Sequence, residues 1–358
     1  MKKNFYLYIS FLEESDKRGG GHIETNLEIN EYKKIFSKVD ILFANKSKNL
    51  NQNLLNKNYI YSKPFNKYIP IFGKRPYVSS RLLEKYEGVI IADARCFIPF
   101  IISILNRKKV FFKSHGSLAI YFWSFLISNI FLINYRPHKA FLKIFYYLPV
   151  IFIFSFVEII IYCFSYKIYI MRSEKSITSS YFGRLFHFFF SHKTEFSFCP
   201  SLLEYDFKGN SNLKVKFKNN QKFINLLIFG NWELPHNFAS LLDFLKRLNP
   251  EKQCSVNLIG KIHKSQVKII RKLKSKANFK CNILGYVENL NHFKKNSTHV
   301  ISCANYGSGI PIKCLEIILQ ANEFDYIPIV SSYCKKALDG ILNIKYRTYP
   351  SKGLINIS

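Results

Sequence analysis

The chain has 358 residues, of which 48% are hydrophobic, and it carries a formal net charge of +30 at pH 7. This length suffices for two domains of ordinary size, and the hydrophobic content excludes a disordered chain. The positive charge predicts an anionic partner, which leaves nucleic acids, acidic membrane surfaces and phosphorylated substrates as candidates. The eight cysteines include no Cys-x-x-Cys pair, so neither a disulfide framework nor a zinc site is indicated, and we expect reduced thiols in a cytosolic setting.

The N-terminal part alternates apolar strands with loops and helices. A loop with three adjacent glycines, Gly19-Gly20-Gly21, lies between the first strand and a helical stretch that ends near Ser37. This order of strand, glycine loop and helix indicates the first unit of an open α/β sheet, in which ligands bind beyond the strand ends; a merely flexible loop is the alternative. A helix is predicted over residues 97–105, and strands are predicted over residues 4–11, 40–44, 88–93, 109–113 and 167–171.

The predicted strand over residues 109–113 ends at Ser114-His115-Gly116. Because the carboxyl ends of parallel strands border the ligand crevice of such a sheet, His115 is a candidate for the expected cleft. A loop histidine without a role explains the position equally well.

Residues 118–170 are unusually apolar and basic. Leu118–Tyr135 contains no charged residue, and Ile144–Met171 is interrupted by Glu158 and Lys167. No Asp or Glu occurs from residue 94 to residue 157, a span with eight Lys and Arg residues. We therefore predict peripheral contact with, or shallow insertion into, an anionic bilayer surface; a membrane-spanning hairpin and a helix buried against the sheet are the alternatives. The lone carboxylate of Glu158 needs a polar partner in these surroundings.

The C-terminal part repeats the alternation of strands and helices, which predicts a second Rossmann-like domain. A stretch without periodicity over residues 198–212 indicates a linker, so we place an N-terminal domain at residues 1–200 and a C-terminal domain at residues 201–358. An amphipathic helix is predicted over residues 238–248. The predicted strands cover residues 224–230, 256–261, 282–287, 300–304 and 327–331.

The segment Gly307–Glu316 joins the strand over residues 300–304 to a helix. Its glycines permit a tight turn, Pro311 suits the first helical turn, and the helix start offers free N–H groups to an anion. Lys313 suits a phosphate, and Glu316, one turn on, can accept hydrogen bonds from two ribose hydroxyls. The pattern therefore indicates a nucleoside diphosphate site; a glycine turn with a surface Lys–Glu pair is the alternative. Neither a P-loop nor the three-glycine dinucleotide fingerprint matches.

This segment, which reads Gly-Ser-Gly-Ile-Pro-Ile-Lys-Cys-Leu-Glu, resembles the donor-site motif of retaining GT-B glycosyltransferases of family 4. The resemblance implies the α/β GT-B fold, with two Rossmann-like domains that face each other across a cleft. It also implies that Lys313 contacts the donor diphosphate and Glu316 the ribose, and that a histidine placed like His115 lies close to the transferred sugar. These three are the catalytic candidates. Many family members carry a further glutamate where this chain has Ser308.

Most of the remaining donor-binding candidates also follow from the resemblance. In the family, an N-terminal glycine loop lies near the donor phosphates, the loop after the first strand of the C-terminal domain borders the donor, and backbone groups after a later short strand contact the base. Independently of the resemblance, Lys261 in the strand and turn over residues 256–261 could reach the diphosphate; a solvated lysine is the alternative. No metal ligand or cofactor is predicted, and no Asp-x-Asp motif is present. The donor-binding candidates besides Lys313 and Glu316 are Gly20, Gly21, Gly230, Asn231, Lys261, Tyr286, Val287, Ser308, Gly309 and Ile310.

Together, these features predict a hexosyltransferase-type glycosyltransferase that, by resemblance, retains configuration and needs no metal. We expect a UDP- or GDP-linked donor and a lipid-linked or glycan acceptor in bacterial surface polysaccharide synthesis, such as that of capsule or lipopolysaccharide. The expected location is peripheral, at the cytoplasmic face of the bacterial inner membrane. The alternatives are a catalytically inactive, membrane-associated scaffold with a transferase fold and a nucleic-acid-binding protein. Because no recognised nucleic-acid-binding module is found, nucleic acid is not the expected partner.

Overall fold

The computed structural model describes residues 5–9, 32, 36, 38–44, 59–62, 77–114, 116–170, 173–196, 223–274, 278–306, 312–339 and 346–357. The chain divides into two compact units, residues 1–119 with 150–203 and residues 120–149 with 204–358. Residues 120–149, which fall within the predicted N-terminal domain, group with the second unit. The predicted linker over residues 198–212 lies outside the described residues.

The first unit contains a seven-stranded parallel sheet with the order β3-β2-β1-β4-β5-β6-β7. The order of the strands reverses between β1 and β4, which pair with Tyr6 opposite Gly88. The five strands predicted in this part of the chain are confirmed, whereas β3 and β7 were not predicted. The strands are β1 (Phe5–Ile9), β2 (Lys38–Ala44), β3 (Tyr59–Ser62), β4 (Gly88–Ile91), β5 (Lys109–Ser114), β6 (Lys167–Ile170) and β7 (Thr194–Phe196).

The central strands of this sheet are buried, as their unbroken apolar runs predict for a parallel sheet covered on both faces. Aromatic rings fill one side of it: Tyr6 stacks on Phe36 with ring centroids 4.0 Å apart and meets Phe111 edge to face at 5.4 Å. Gly88 makes room for the Tyr6 ring, because a Cβ there would lie 2.5 Å from that ring and 2.6 Å from the carbonyl oxygen of Lys109.

The described residues up to residue 196 form six helices. Two of them, α3 and α4, contribute to both units, since the unit boundaries fall after Ala119 and after Pro149. The starts of α5 and α6 are capped by the hydroxyls of Ser173 and Ser180, which accept hydrogen bonds from backbone N–H groups of the first turn. The helices are α1 (Ser80–Leu83), α2 (Phe97–Leu105), α3 (Leu118–Leu132), α4 (Pro137–Phe164), α5 (Glu174–Thr178) and α6 (Tyr181–Phe190), and short 3-10 turns cover Ala94–Cys96 and Ser191–Lys193.

The second unit contains a six-stranded parallel sheet with the order β11-β10-β8-β12-β13-β14 and a two-stranded parallel sheet, β15-β9. Its strands are β8 (Phe223–Phe229), β9 (Leu248–Pro250), β10 (Gln253–Ile259), β11 (Lys280–Gly285), β12 (His299–Ser302), β13 (Ile327–Ser331), β14 (Arg347–Tyr349) and β15 (Ile355–Ile357). Its helices are α7 (Pro235–Arg247), α8 (Lys264–Lys274), α9 (Asn291–Lys295), α10 (Ile312–Leu319), α11 (Ala321–Phe324) and α12 (Ser332–Leu338). The five strands predicted here are confirmed as β8, β10, β11, β12 and β13.

The C-terminal half of α3 packs into the second unit, which explains the grouping of residues 120–149. Leu132 is buried in the hydrophobic core of that unit. Next to it, the ammonium group of Lys246 on α7 lies 5.1 Å from the ring of Phe131 and 5.0 Å from the ring of Tyr135, close enough for cation–π attraction. Helix α4 is, among the described residues, the one helix long and apolar enough to cross a membrane by length and composition, and 28% of its most apolar stretch is buried.

Glu158 on α4 has the polar partners that its position requires. It is 5% exposed, and its carboxylate accepts hydrogen bonds from the hydroxyl of Ser117, at 2.6 Å, and from the backbone N–H of Leu118 at the start of α3. The carboxylate therefore caps a helix that begins 40 residues earlier in the chain. Burial raises the pKa of Glu158 to about 7, while these hydrogen bonds act in the opposite direction.

This pKa predicts a specific pH dependence of stability. From about pH 4.5 to about pH 7, the folded chain keeps a proton on Glu158 that the unfolded chain releases, so this contribution to stability is lost as the pH rises through that window. Glu158→Gln keeps an acceptor oxygen and does not ionise. Its stability relative to wild type should grow by about 3 kcal/mol across the window and then level off. Thermal unfolding at a series of pH values measures this, with the exposed Glu84→Gln as control; a difference that does not change with pH would contradict it.

Candidate nucleotide-binding site

The candidate site lies where the strand order of the second sheet reverses. Strands β8 and β12 are neighbours, with Leu226 opposite His299 and Ile228 opposite Ile301. From β8 the sheet continues to β10 and β11 on one side, and from β12 to β13 and β14 on the other. The loops after β8 and β12 therefore diverge at the carboxyl ends of the strands, which is where open α/β sheets bind their ligands.

Backbone hydrogen bonds connect the loops that follow β8, β10 and β11. The N–H of Gly230 donates to the carbonyl of Ile259 at 3.0 Å, and the N–H of Gly260 donates to the carbonyl of Gly285 at 2.7 Å. Gly260 has a φ of +132°, and a Cβ there would lie 1.7 Å from the carbonyl oxygen of Gly230. Only glycine fits this position. The loops after β8 and β10 therefore meet at a contact between Gly230 and Gly260 that leaves no room for a side chain on Gly260.

A substitution at Gly260 should therefore disturb the site more than the same substitution at an ordinary turn glycine. We expect Gly260→Ala to lower stability by about 3 kcal/mol or more, because backbone strain and a steric clash add up. Gly353→Ala is the matched control, since Gly353 also has a positive φ of +83° but has open space around its Cβ position, and its cost should be about 1 kcal/mol. Urea unfolding of both variants measures the difference; equal losses would show that the contact with Gly230 does not matter.

Trp232 fixes the loop after β8. It is 4% exposed, its indole N–H donates to the carbonyl of Ile259 at 3.0 Å, and its backbone N–H donates to the carbonyl of Lys261 at 2.9 Å. The side-chain amide of Asn237 donates to the carbonyl of Asn231 at 2.9 Å. The predicted residues Asn231 and Lys261 are thus held beside each other by a tryptophan that the sequence analysis did not single out.

The loop after β12 is fastened through Asn305. Its backbone N–H donates to the hydroxyl of Ser240 at 3.1 Å, and its side-chain amide donates to a carboxylate oxygen of Asp243 at 3.1 Å. The hydroxyl of Tyr349 donates to the side-chain oxygen of Asn305 at 3.3 Å. Two separate elements, α7 and β14, therefore hold the residue that precedes the glycine motif by two positions. No pattern in the sequence links these residues, which are far apart in the chain.

Lys313 lies in the first turn of α10, against the loop after β8. A Cβ built at Gly230 would lie 3.2 Å from the ammonium nitrogen of Lys313. The next residue, Cys314, is fully buried and donates to the hydroxyl of Ser302 on β12 at 2.9 Å, which anchors the start of the helix. Lys313 itself is exposed, yet protein atoms crowd its ammonium end, and this desolvation lowers its pKa. An anion beside it would offset that effect.

Glu316 follows one turn later and pairs with a lysine that was not predicted. Its carboxylate accepts from Lys294 on α9, with 2.7 Å between Nζ and Oε1. Among the described residues, Glu316 thus pairs with Lys294 and not with Lys313, so the alternative of a surface Lys313–Glu316 pair is not what the structure contains. The Glu316 side chain is 33% exposed and remains accessible to a ligand.

The structure therefore brings Gly230, Asn231, Lys261, Lys313 and Glu316 to one edge of the second sheet. Tyr286 and Val287 follow β11, farther along the same edge, and Tyr286 is exposed. No group of three or more His, Cys, Asp and Glu side chains that could hold a metal ion is found in the described part of the chain. Six candidates lie outside the described residues: Gly20, Gly21, His115, Ser308, Gly309 and Ile310.

Comparison with solved structures identifies the fold. No family model matches the sequence, and no curated protein matches it. The structure is similar to that of the Anabaena protein HepE in complex with UDP and glucose, with a TM-score of 0.51, 12% identity, and coverage of 98% of this chain and 86% of that one. It is also similar to sucrose-phosphate synthase from Thermosynechococcus elongatus, with a TM-score of 0.54, 10% identity and the same coverage, 98% and 86%. The predicted GT-B fold, two parallel-sheet α/β units, is thereby confirmed.

Proposed function

We propose that this chain is a glycosyltransferase that moves a sugar from a UDP- or GDP-linked donor to a lipid-linked or glycan acceptor in bacterial surface polysaccharide synthesis. One observation carries the proposal: Lys313, at the start of α10, lies against Gly230 at the point where the strand order reverses, with Glu316 one turn away. A cation, a glycine without a side chain and a carboxylate in this arrangement suit a phosphate group and a ribose. The likeness to a GT-B structure that holds UDP and glucose supports this assignment.

In this proposal the chain acts mainly through electrostatics. The ammonium group of Lys313 and the N–H groups at the start of α10 stabilise the negative charge that builds up on the leaving diphosphate. Glu316 accepts hydrogen bonds from the ribose hydroxyls and so holds the donor in place. His115 is proposed to lie beside the transferred sugar. Retention of configuration and independence of metal ions belong to the same proposal.

Thermal stabilisation by nucleotides tests the proposal. Wild type is heated with UDP, GDP, ADP or CMP, each with and without EDTA. A ligand at about one hundred times its dissociation constant should add roughly 2.7 kcal/mol, and we expect one nucleoside diphosphate to do so even with EDTA. Loss of the effect in EDTA would contradict metal independence. If no nucleotide stabilises the chain, the inactive scaffold becomes the better account, and salt-sensitive binding to DNA would favour the nucleic-acid alternative.

We also propose that the protein works at an anionic membrane surface, and the first unit offers a face for it. Helix α6 packs inward through Phe186 and Phe190, whose rings lie 4.9 Å and 5.7 Å from that of Tyr162 on α4. Its outer face is also apolar: Phe182 is 76% and Phe188 78% exposed. An exposed face made of neighbouring apolar side chains does not suit water. This aromatic face (Tyr181, Phe182, Leu185, Phe188 and Phe189) lies outside the stretch 118–170 that the sequence analysis marked.

The charges around α6 favour a membrane over a second copy of this cationic chain. The two carboxylates in residues 173–196 are both in ion pairs: Glu174 pairs with His187 at 2.9 Å, and Glu195 pairs with Lys167. Lys175 and Arg184 are exposed. Aromatic side chains beside exposed cations are what interfacial helices present to anionic headgroups.

Co-sedimentation with vesicles tests the membrane proposal. We expect wild type to bind vesicles that contain phosphatidylglycerol more tightly than pure phosphatidylcholine vesicles. Phe182→Glu with Phe188→Glu should reduce binding at least tenfold, whereas Leu354→Glu, which also alters an exposed apolar residue, should leave it unchanged. The membrane proposal is wrong if wild type does not bind the vesicles. It is also wrong if wild type is a dimer in solution and the double variant is a monomer, since a second copy would then cover this face.

A further inference from the structure

Lys294 is a buried cation at the edge of the candidate nucleotide site. Its side chain is 3% exposed, and its ammonium group donates to Glu316 Oε1 at 2.7 Å and to Gln320 Oε1 at 2.6 Å. The rings of Phe229 and Phe324 lie 5.6 Å and 5.7 Å from the same nitrogen. A buried ammonium group is expensive unless it is paired and hydrogen-bonded, and here two oxygens and two aromatic rings surround it.

The two oxygen partners of Lys294 lie on one side of the chain, Glu316 within α10 and Gln320 directly after its last residue. The N–H of Gln320 donates to the carbonyl of Glu316 at 3.0 Å, so the residues are one helical turn apart. Lys294 comes from α9, and Phe229 is the last residue of β8, directly before Gly230. The lysine therefore connects the helix that carries Glu316 to the strand that ends at the crevice.

This arrangement holds one oxygen of Glu316 and leaves the carboxylate accessible. Glu316 is 33% exposed, while its partner Lys294 is 3% exposed, so the ion pair has a buried end and a solvent end. A free glutamate on a helix surface samples several rotamers and loses that freedom when it binds a ligand. A cation fixed on Oε1 selects one rotamer of Glu316, and this favours hydrogen bonds from ligand hydroxyls.

We propose that Lys294 is a positioning residue that orients the Glu316 carboxylate to accept hydrogen bonds from the ribose hydroxyls of the donor nucleotide. This inference rests on the proposed function, because it concerns the same site. If the inference holds, the preference for ribonucleotides over deoxyribonucleotides depends on Lys294, a buried lysine that does not touch the nucleotide. If Lys294 only filled space in the core, its removal would not act on the ribose in particular.

Calorimetric binding of ribose and 2′-deoxyribose forms of one nucleoside diphosphate tests the inference. The probe is the UDP or GDP that stabilises wild type, together with its 2′-deoxy form, against wild type, Lys294→Met and Lys295→Met. We expect Lys294→Met to weaken ribonucleotide binding about tenfold, equal to roughly 1.4 kcal/mol, with a smaller loss for the deoxy form, which keeps one of the two hydroxyls. Lys295→Met removes the same charge from the neighbouring exposed residue and should match wild type.

A second variant, Gln320→Leu, tests the inference in case Lys294→Met does not fold. Gln320→Leu removes the other oxygen partner of Lys294 without touching Glu316, and it should reduce the ribose preference in the same direction by a smaller factor. The inference is overturned if Lys294→Met weakens both nucleotide forms equally, or if both variants keep the full ribose preference. A wild type that binds neither UDP nor GDP would instead overturn the proposed function, and this inference with it.

Discussion

Lys313→Met is expected to lower turnover by about two to three orders of magnitude, the usual loss when one group that stabilises a developing negative charge is removed. The ammonium group lies against Gly230 at the start of α10, where the leaving diphosphate is proposed to bind. Desolvation already lowers the pKa of Lys313, so its charge is costly without a ligand. Methionine should therefore leave the stability of the unliganded chain unchanged or slightly raised.

Release of nucleoside diphosphate from the sugar donor, in the presence of membrane extract as acceptor, measures the effect. Lys335→Met, which removes an exposed lysine of the same unit, is the control and should keep wild-type turnover. A Lys313→Met protein that melts well below wild type would indicate a structural role for this lysine. Full turnover in a folded variant would remove Lys313 from the mechanism.

Glu316→Ala should destabilise the second unit by about 3 kcal/mol, because it leaves the buried ammonium group of Lys294 without its carboxylate. Gln320 remains as a partner, which keeps the loss near the lower end of the range for broken buried pairs. Glu316→Gln retains an acceptor oxygen for Lys294 and should lose less. The double variant Lys294→Met with Glu316→Leu removes both charges and should recover most of the lost stability.

Urea unfolding of Lys294→Met, Glu316→Leu and the variant with both substitutions gives the coupling free energy of the pair. Additive losses in the double variant would mean that Lys294 and Glu316 do not stabilise each other. The result also decides how the nucleotide site is studied. If Glu316→Ala is destabilised as expected, loss of nucleotide binding in that variant is ambiguous, and Glu316→Gln is the informative change.

The strands of both sheets could be predicted because parallel strands covered on both faces form unbroken apolar runs. All ten strands predicted from such runs are present, with ends that differ from the predicted ones by at most three residues. Of the strands that were missed, β3 has four residues, and β7, β9, β14 and β15 have three each. Such short segments carry too few residues for a period to show.

Helix α6 was also missed. Its sequence, Tyr181–Phe190, places Arg184 and His187 three positions apart on one side and apolar side chains on the others, so the helical period is present but the segment is short. The apolar stretch that was recognised, residues 118–170, contains two helices, α3 and α4, that each contribute to both units. Hydropathy identified the stretch but could not divide it, because the division depends on which core each half packs against.

The local part of the site follows from the sequence alone. Strand β12 and helix α10 follow from their apolar runs and periods, and the helical period places Lys313 and Glu316, three residues apart, on one face. The partners of these groups are decided by the tertiary structure. Lys294 and Glu316 are 22 residues apart, and Ser117 and Glu158 are 41 apart. Such pairs form because a buried charge must find a partner wherever packing brings one within reach, and no short-range pattern records which residue that is.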